Sequence, residues 1–405
     1  PQATRLPTVE VQGDGKIEAS SPKYTAPLLD TPQTITVVPR EIIEQQNLLS
    51  LRDILSTLPD ITIGAGEGGG GYGDSINLRG FSANNDISVD GVRDSAQYSR
   101  TDPFNLEQVE VVNGANSVYA GAGSVGGSIN LVSKAARQGD SHTVSAAAGT
   151  DSYGRITLDS NTEFGDGMAF RVNVMAHEND APGRDFEQFS RWGIAPSLAF
   201  GLGGDTTLTL NVVHQEDDNI PQYGVPFFNG GPLPGVDPGN YYGYNNIDDQ
   251  DIENDAFTAI LSHRFSDALS VRNLTRVAEV DQVSIVDAVQ GTWCLRETGL
   301  TPTGAACGAT PPGRYQPSGP RGYVRDTTNK ALVNQTDLLF DCATGGIRHD
   351  LVAGVAFSHE TFRLDTSSLF RNANGSTTGI VLPTMDMFSP DSTWTGPVRQ
   401  TLTGK

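Results

Sequence analysis

Gly64-x-Gly66-x-x-Gly69 and Gly121-x-Gly123-x-x-Gly126 both carry the spacing of a loop that cradles a dinucleotide phosphate. That chemistry needs a helix starting inside the loop, so that its free N–H groups point at the anion. Neither glycine run leads into one. After the first, Ile76 and Leu78 alternate with Ser75, Asn77 and Arg79; after the second comes Ser-Ile-Asn-Leu-Val at 128–132, and both read as strands. Asp86 and Asp90 lie about 20 residues on, where a ribose-binding carboxylate would stand. In a chain with 48 acidic residues that coincidence carries little weight. The glycines serve a fold in which strand, glycine-rich loop and strand recur.

Other reactive residue types are sparse. His142, His177, His214, His263, His349 and His359 are spread over expected strands and strand ends without ligand spacing, and no Cys-x-x-Cys pair occurs. No metal site, resident cofactor or hydrolytic centre is expected, so the chain does not read as an enzyme. Cys294 and Cys307 lie in a stretch dense in Gly, Thr and Pro. They fit a loop-closing disulfide of an oxidising compartment, or two unpaired thiols. Cys342, at the end of an expected strand, is expected to be unpaired. The formal charge of -21 disfavours a broad nucleic-acid surface, which needs clustered Lys and Arg.

The elements that must position these residues change character along the chain. Up to about residue 140 helix and strand signals mix. "TITVV" at 34–38 reads as a strand, and 40–58 carries a helical spacing of Ile42, Ile43, Leu51, Ile54, Leu55 and Leu58, with Ser50 a cap for a second helix. Short strands are expected at 61–63, 75–79, 86–90, 107–112 and 128–133. From 141 on, long strands alternate. Phe170, Val172, Val174 and Ala176 share one face, and Arg171, Asn173, Met175 and His177 the other; Leu351, Ala353, Val355 and Phe357 repeat the apolar set. Short connections at 165–167 and 343–348 alternate with long polar ones at 216–250 and 286–322. That asymmetry fits a membrane β-barrel, with short turns on one side and long loops on the other. No apolar run reaches the ~18 residues of a membrane helix. About nine strands follow residue 140, and 369–405 reads as a long loop without a return strand. The start at Pro1 suggests a processed or trimmed end.

Several stretches of the first 135 residues together resemble the TonB-dependent outer-membrane siderophore receptors, in particular their catecholate, Fiu-type, branch. They are "TPQTITVVPREIIEQQ" (31–46), "SLRDILSTLPDI" (50–61), "GEGGGGYGD" (66–74), "INLRGFSANNDISVDGVRD" (76–94), "DPFNLEQVEVVNGANSVY" (102–119) and "GSVGGSINLVSK" (123–134). The resemblance implies an α+β plug domain followed by antiparallel transmembrane β-barrel strands. Residues 1–25 are then a TonB box and extended linker, 26–138 the plug, and 139–405 the N-terminal stretch of the barrel. A plugged barrel of this kind has about 22 strands; with about nine present, the chain is expected to be a fragment. Asn113 and Ala115 stand where the family often has Lys and Pro, and Ala122 where many members have Arg.

The resemblance also implies a site. In such a fold the glycine loop at 64–73 and the segment 92–104 point outward from the plug. A ferric catecholate is bulky, aromatic and anionic, which Arg93, Gln97, Tyr98 and Arg100 can meet by charge and by stacking, with Tyr72 beside them. Simple pairing of Arg93 and Arg100 with Asp94 and Asp102 is the alternative. Leu6, Pro7, Thr8, Val9, Glu10 and Val11 resemble the TonB box, an extended segment able to add to a partner's sheet edge. Arg79, Glu107 and Glu110 resemble the charged plug residues that face the barrel wall. The implied partners are a ferric catecholate siderophore, TonB of the inner-membrane complex, and outer-membrane lipid and lipopolysaccharide. The implied function is TonB-energised import across the outer membrane of a Gram-negative bacterium. Import of cobalamin, haem or a glycan is the nearest alternative, and a passive pore or adhesin a more distant one.

Overall fold

The structure, a computed structural model, describes residues 18–64, 75–83, 86–94, 101–116, 125–221, 223–287, 291–317, 323–368, 374, 376 and 382–396. Near the amino end, β1 (Thr34–Pro39) leads into α1 (Arg40–Gln45) and α2 (Leu51–Ser56). Ser50 caps α2 as its sequence suggests, its hydroxyl accepting from the Asp53 N–H at 3.1 Å. Then come β2 (Ile61–Gly64), β3 (Ser75–Leu78), β4 (Phe81–Ser82), β5 (Ile87–Val89), β6 (Val92–Arg93), β7 (Leu106–Asn113) and β8 (Gly127–Ser133). One sheet has the order β1-β7-β8-β5-β6, with only β5 and β8 parallel among its pairings; β2, β3 and β4 form a smaller one. Ile54 and Leu55 of α2 pack with Val109, Ile129 and Leu131 of the sheet and with Ile76 and Leu78, giving this unit its own buried core. Gly127 has no substitute: its φ is +140°, and a Cβ there would meet the Val112 carbonyl oxygen at 2.0 Å.

The remainder is built on one antiparallel sheet. Its strands are β9 (Ser141–Ala148), β10 (Gly154–Glu163), β11 (Ala169–Asp180), β12 (Gln188–Phe200), β13 (Thr206–Asn219), β16 (Asp249–Ser266), β17 (Leu269–Val286), β20 (Tyr323–Thr344) and β21 (Ile347–Ser368), each paired with the next. The hairpin β14 (Phe227–Phe228) with β15 (Gly231–Pro232), and the set β18 (Gly291–Trp293), β19 (Arg314–Pro317) and β22 (Met385–Asp386), belong to the long connections. Within 369–405, expected as a long loop, the two residues of β22 pair with β19 of another connection and not with the wall sheet.

Burial along the sheet is the inverse of a soluble protein's. Phe257 is 42% exposed while the next residue, Thr258, is 2%; Phe170 is 40% exposed while Arg171 is 1%. The apolar face points outward and the polar face covers the plug, as in a barrel wall whose solvent outside is lipid. A membrane strand needs only about 9–11 residues. At 18 to 22 residues, β16, β17, β20 and β21 run well past the membrane on one side. On that side the connections fold into a cap. Leu233, Tyr242, Leu295, Tyr315, Met385 and Met387 share a buried core, the Arg296 guanidinium lies 4.1 Å over the Phe388 ring, and Cys294–Cys307 is a disulfide. Cys342 is a free thiol.

Candidate functional site

Two buried ion clusters join plug to wall. In the first, Asp102 begins the turn before β7 and accepts from the Phe104 N–H at 2.9 Å. Its carboxylate also takes two hydrogen bonds from Arg155 of β10, at 2.9 and 2.7 Å. Arg191 of β12 approaches at 3.4 Å while binding Asp217 of β13. Burial opposes ionisation of Asp102. The Arg155 hydrogen bonds and the charges of Arg155 and Arg191 outweigh it, holding the carboxyl below its ordinary value. Phe104 itself packs on Met175 and Ala195 of the wall. A Cβ at Gly193 would stand 2.9 Å from that ring, so the missing side chain makes room for the plug.

In the second cluster, Arg171 of β11 holds both oxygens of Asp159 at 2.8 Å, Glu107 of the plug at 3.0 Å and the Ala135 carbonyl at 3.1 Å. Lys134, just beyond β8, reaches Asp159 at 3.0 Å, and Arg40 of α1 reaches it at 3.4 Å. A bidentate guanidinium with its remaining donors satisfied is the geometry in which a buried charge is tolerated.

The chain's first described residues also lie against this interface. The Ser20 N–H donates to Glu110 at 2.5 Å, Gln108 donates to the Glu18 carbonyl at 3.1 Å, and Lys23 reaches Asp337 of β20 at 3.6 Å. Between this segment, β5, β8 and the wall is a cavity of about 240 Å³, lined among others by Asp90, Arg93, Asn211, Arg272 and Gln335.

These positions revise the expectations for single residues. Glu107 does face the wall, through Arg171. Glu110 borders the plug–wall cavity beside Asn211 and Arg272, but among the described residues its hydrogen bonds are to Ser20, Gln108 and Asn130 of the plug side. Among the described residues Arg79 makes no ion pair; its exposed side chain approaches Gly114 of the plug. Asp102 is held by the wall arginines Arg155 and Arg191. Of the ligand candidates, Arg93 lines the plug–wall cavity, whereas Tyr72, Gln97, Tyr98 and Arg100 lie outside the described residues, as do Leu6, Pro7, Thr8, Val9, Glu10 and Val11. His214 pairs with Asp255 at 2.9 Å and with Glu216 at 3.3 Å, beside Glu253 on the outward face. The residues sequence reasoning missed are Arg155, Arg171 and Arg191. Their only signal is a positive charge on the polar face of an otherwise lipid-patterned strand.

Residues 27–128 match the TonB-dependent Receptor Plug Domain family. Over 288 residues the chain is 41% identical to a probable TonB-dependent siderophore receptor, PiuA, of Acinetobacter baumannii, a match covering 68% of this chain and 39% of PiuA. Over 396 residues it is 34% identical to the catecholate siderophore receptor Fiu of Escherichia coli K12, covering 93% of this chain and 48% of Fiu. The open-form crystal structure of Fiu superposes with a TM-score of 0.77 at 31% identity, over 95% of this chain and 56% of that one. The chain thus spans under half the length of PiuA or Fiu. With a plug sheet pinned by ion pairs inside a lipid-patterned wall, it belongs to the TonB-dependent receptor family of Gram-negative outer-membrane proteins.

Proposed function

We propose that this chain is the plug and the first wall strands of a receptor that imports ferric siderophores of the catecholate class, energised through TonB. The observation that carries the reading is the extent of likeness to Fiu, which takes in 93% of the chain. The cargo's chemistry supports it: Arg93, Arg100, Gln97, Tyr98 and Tyr72 offer charge and flat faces to an aromatic anion. No cofactor is required, since the iron travels inside its ligand. Residues Leu6 to Val11 would add as a strand to TonB, and the docked segment from Glu18 to Lys23 would carry the pull to the plug. Outward, the apolar wall face would meet lipid and lipopolysaccharide.

The test is equilibrium binding of a ferric catecholate, against a ferric hydroxamate and cobalamin, to the receptor carrying this sequence in detergent. Selective catecholate binding, weakened more than about tenfold by Arg100→Ala, about 1.4 kcal/mol, is expected. Preference for another ligand would remove the catecholate assignment. Val9→Pro should leave binding intact and abolish energised uptake; uptake that survives it would count against the TonB box.

A further inference from the structure

Beneath the cap, the inward faces of β16 and β17 end in a group of buried oxygens. Asp248 closes the connection before β16. Its Oδ2 accepts from the Tyr241 hydroxyl at 2.6 Å and the Tyr244 N–H at 3.2 Å, and the Asp287 N–H also faces the carboxylate, while its Oδ1 is buried without a well-formed hydrogen bond. Asp287, the first residue beyond β17, also keeps a buried Oδ2 without a donor. One rung below, Gln250 and Ser284 are direct cross-strand partners, 1% and 0% exposed, and both amide atoms of Gln250 and Ser284 Oγ lack partners too. The Asp248 carboxylate and the Asp287 main chain both border Gly243. A Cβ at Gly243 would stand 2.1 Å from Asp248 Oδ2 and 3.0 Å from the main-chain oxygen of Asp287.

Two buried carboxylates in mutual reach are costly unless something positive lies between them. Among the described residues no Arg or Lys pairs with either carboxylate. Unpartnered oxygens on two chain segments are a donor set of one kind. Hard cations take it, and Ca²⁺ accepts six to eight such ligands in flexible geometry.

We propose that Asp248 and Asp287, with Gln250 Oε1, Ser284 Oγ and the Asp287 main-chain oxygen, form a site for a hard divalent cation of the Ca²⁺ type. The ion would fasten the base of the 220–248 connection to the base of the one that follows β17, and so order the cap over the mouth of the wall. The site is unlike the outward groups Asp218, Asp249 and Asp251, which are exposed or half-buried and belong to the solvent side. It departs from the expectation of no metal, because that expectation searched for Cys and His spacing.

The experiment is a CaCl₂ titration of the chelator-treated receptor in detergent above neutral pH. It is followed by calorimetry and by fluorescence of Trp293 and Trp394, both in the cap. One bound ion, a higher-melting cap and an affinity reduced at least about 100-fold by Asp287→Asn are expected, with Asp255→Asn, on the outward face, leaving the affinity unchanged. Removal of a buried charge relieves repulsion, so the Asp287→Asn receptor should still fold. Direct heats of binding report on the site even where melting does not. No heat up to about 10 mM Ca²⁺, beyond the range of extracellular calcium modules, would overturn the proposal. So would binding that survives Asp287→Asn. Siderophore binding enters neither readout, so the two proposals fail separately.

Discussion

Arg155 of the wall and Asp102 of the plug meet side on, two guanidinium nitrogens on two carboxylate oxygens at 2.9 and 2.7 Å. Both side chains are buried, at 8% and 1% exposed, so neither can recover water if the other is removed. Asp102→Asn should therefore destabilise plug docking by about 3–5 kcal/mol, read as earlier proteolysis of the plug in the receptor in detergent. Adding Arg155→Gln should recover some of the loss. The wild-type contact is also pH-dependent: its carboxyl is held below its ordinary value, so its stabilisation is present above that value and lost as pH falls through the folded one. The Asn variant should lack that acid limb.

Gly193→Ala would place a methyl 2.9 Å from the Phe104 ring and 3.2 Å from the His214 carbonyl oxygen. Overpacking of this kind costs about 1–3 kcal/mol. The cost should shrink when Phe104→Leu is present, a non-additivity that a double-mutant cycle measures.

Asp248 is raised to about 7 by burial, against only partial relief from Tyr241 and two backbone N–H groups. A raised carboxyl stabilises the fold fully below its unfolded value, and this is lost as pH rises through the folded one. In chelator, the cap should melt higher at weakly acidic pH than at alkaline pH. Asp248→Asn should flatten that profile over the same window, followed by tryptophan fluorescence.

The Cys294–Cys307 bridge closes a 13-residue separation. Reduction, or the Cys294→Ser, Cys307→Ser pair, should cost about 3 kcal/mol. The loss should fall on the cap transition alone, since Phe104, Arg155 and Arg171 lie elsewhere. A single lowered transition in differential scanning calorimetry is the expected result.

How much of this was legible in the residues depends on the distance a feature must act over. The alternation of Phe170 with Arg171 and the Ser50 cap are local, and both strand faces and helix start stand where their spacing puts them. The partner of Asp102 is not local. Arg155 and Arg191 stand 53 and 89 positions away, and the local alternative in the sequence is the nearer Arg100. Glu110 is expected at the wall only through its resemblance to charged plug residues of the TonB-dependent receptors. Its real partners, Ser20, Gln108 and Asn130, are polar groups whose meeting depends on register. The cap hid most completely: its core residues come from connections with no period at all, so Tyr242, Tyr315 and Met387 give no pattern before they pack.

The segment from Glu18 to Lys23 runs directly to β1, and β1 is an edge strand, bonded on one side only. Tension entering from residue 17 therefore meets its attachments in series. Gln108 to Glu18 comes first, then Ser20 to Glu110 and Asn130, then Lys23 to Asp337, then Gln33 to Ala115, and after them Thr34 opposite Asn113. Attachments in series yield singly, like a perforated strip, at far less force than the same number pulled abreast. Freeing residues 18–33 alone releases roughly 50 Å of cord. Reach toward a distant motor and disruption of the plug sheet are thus separate mechanical events, in that order.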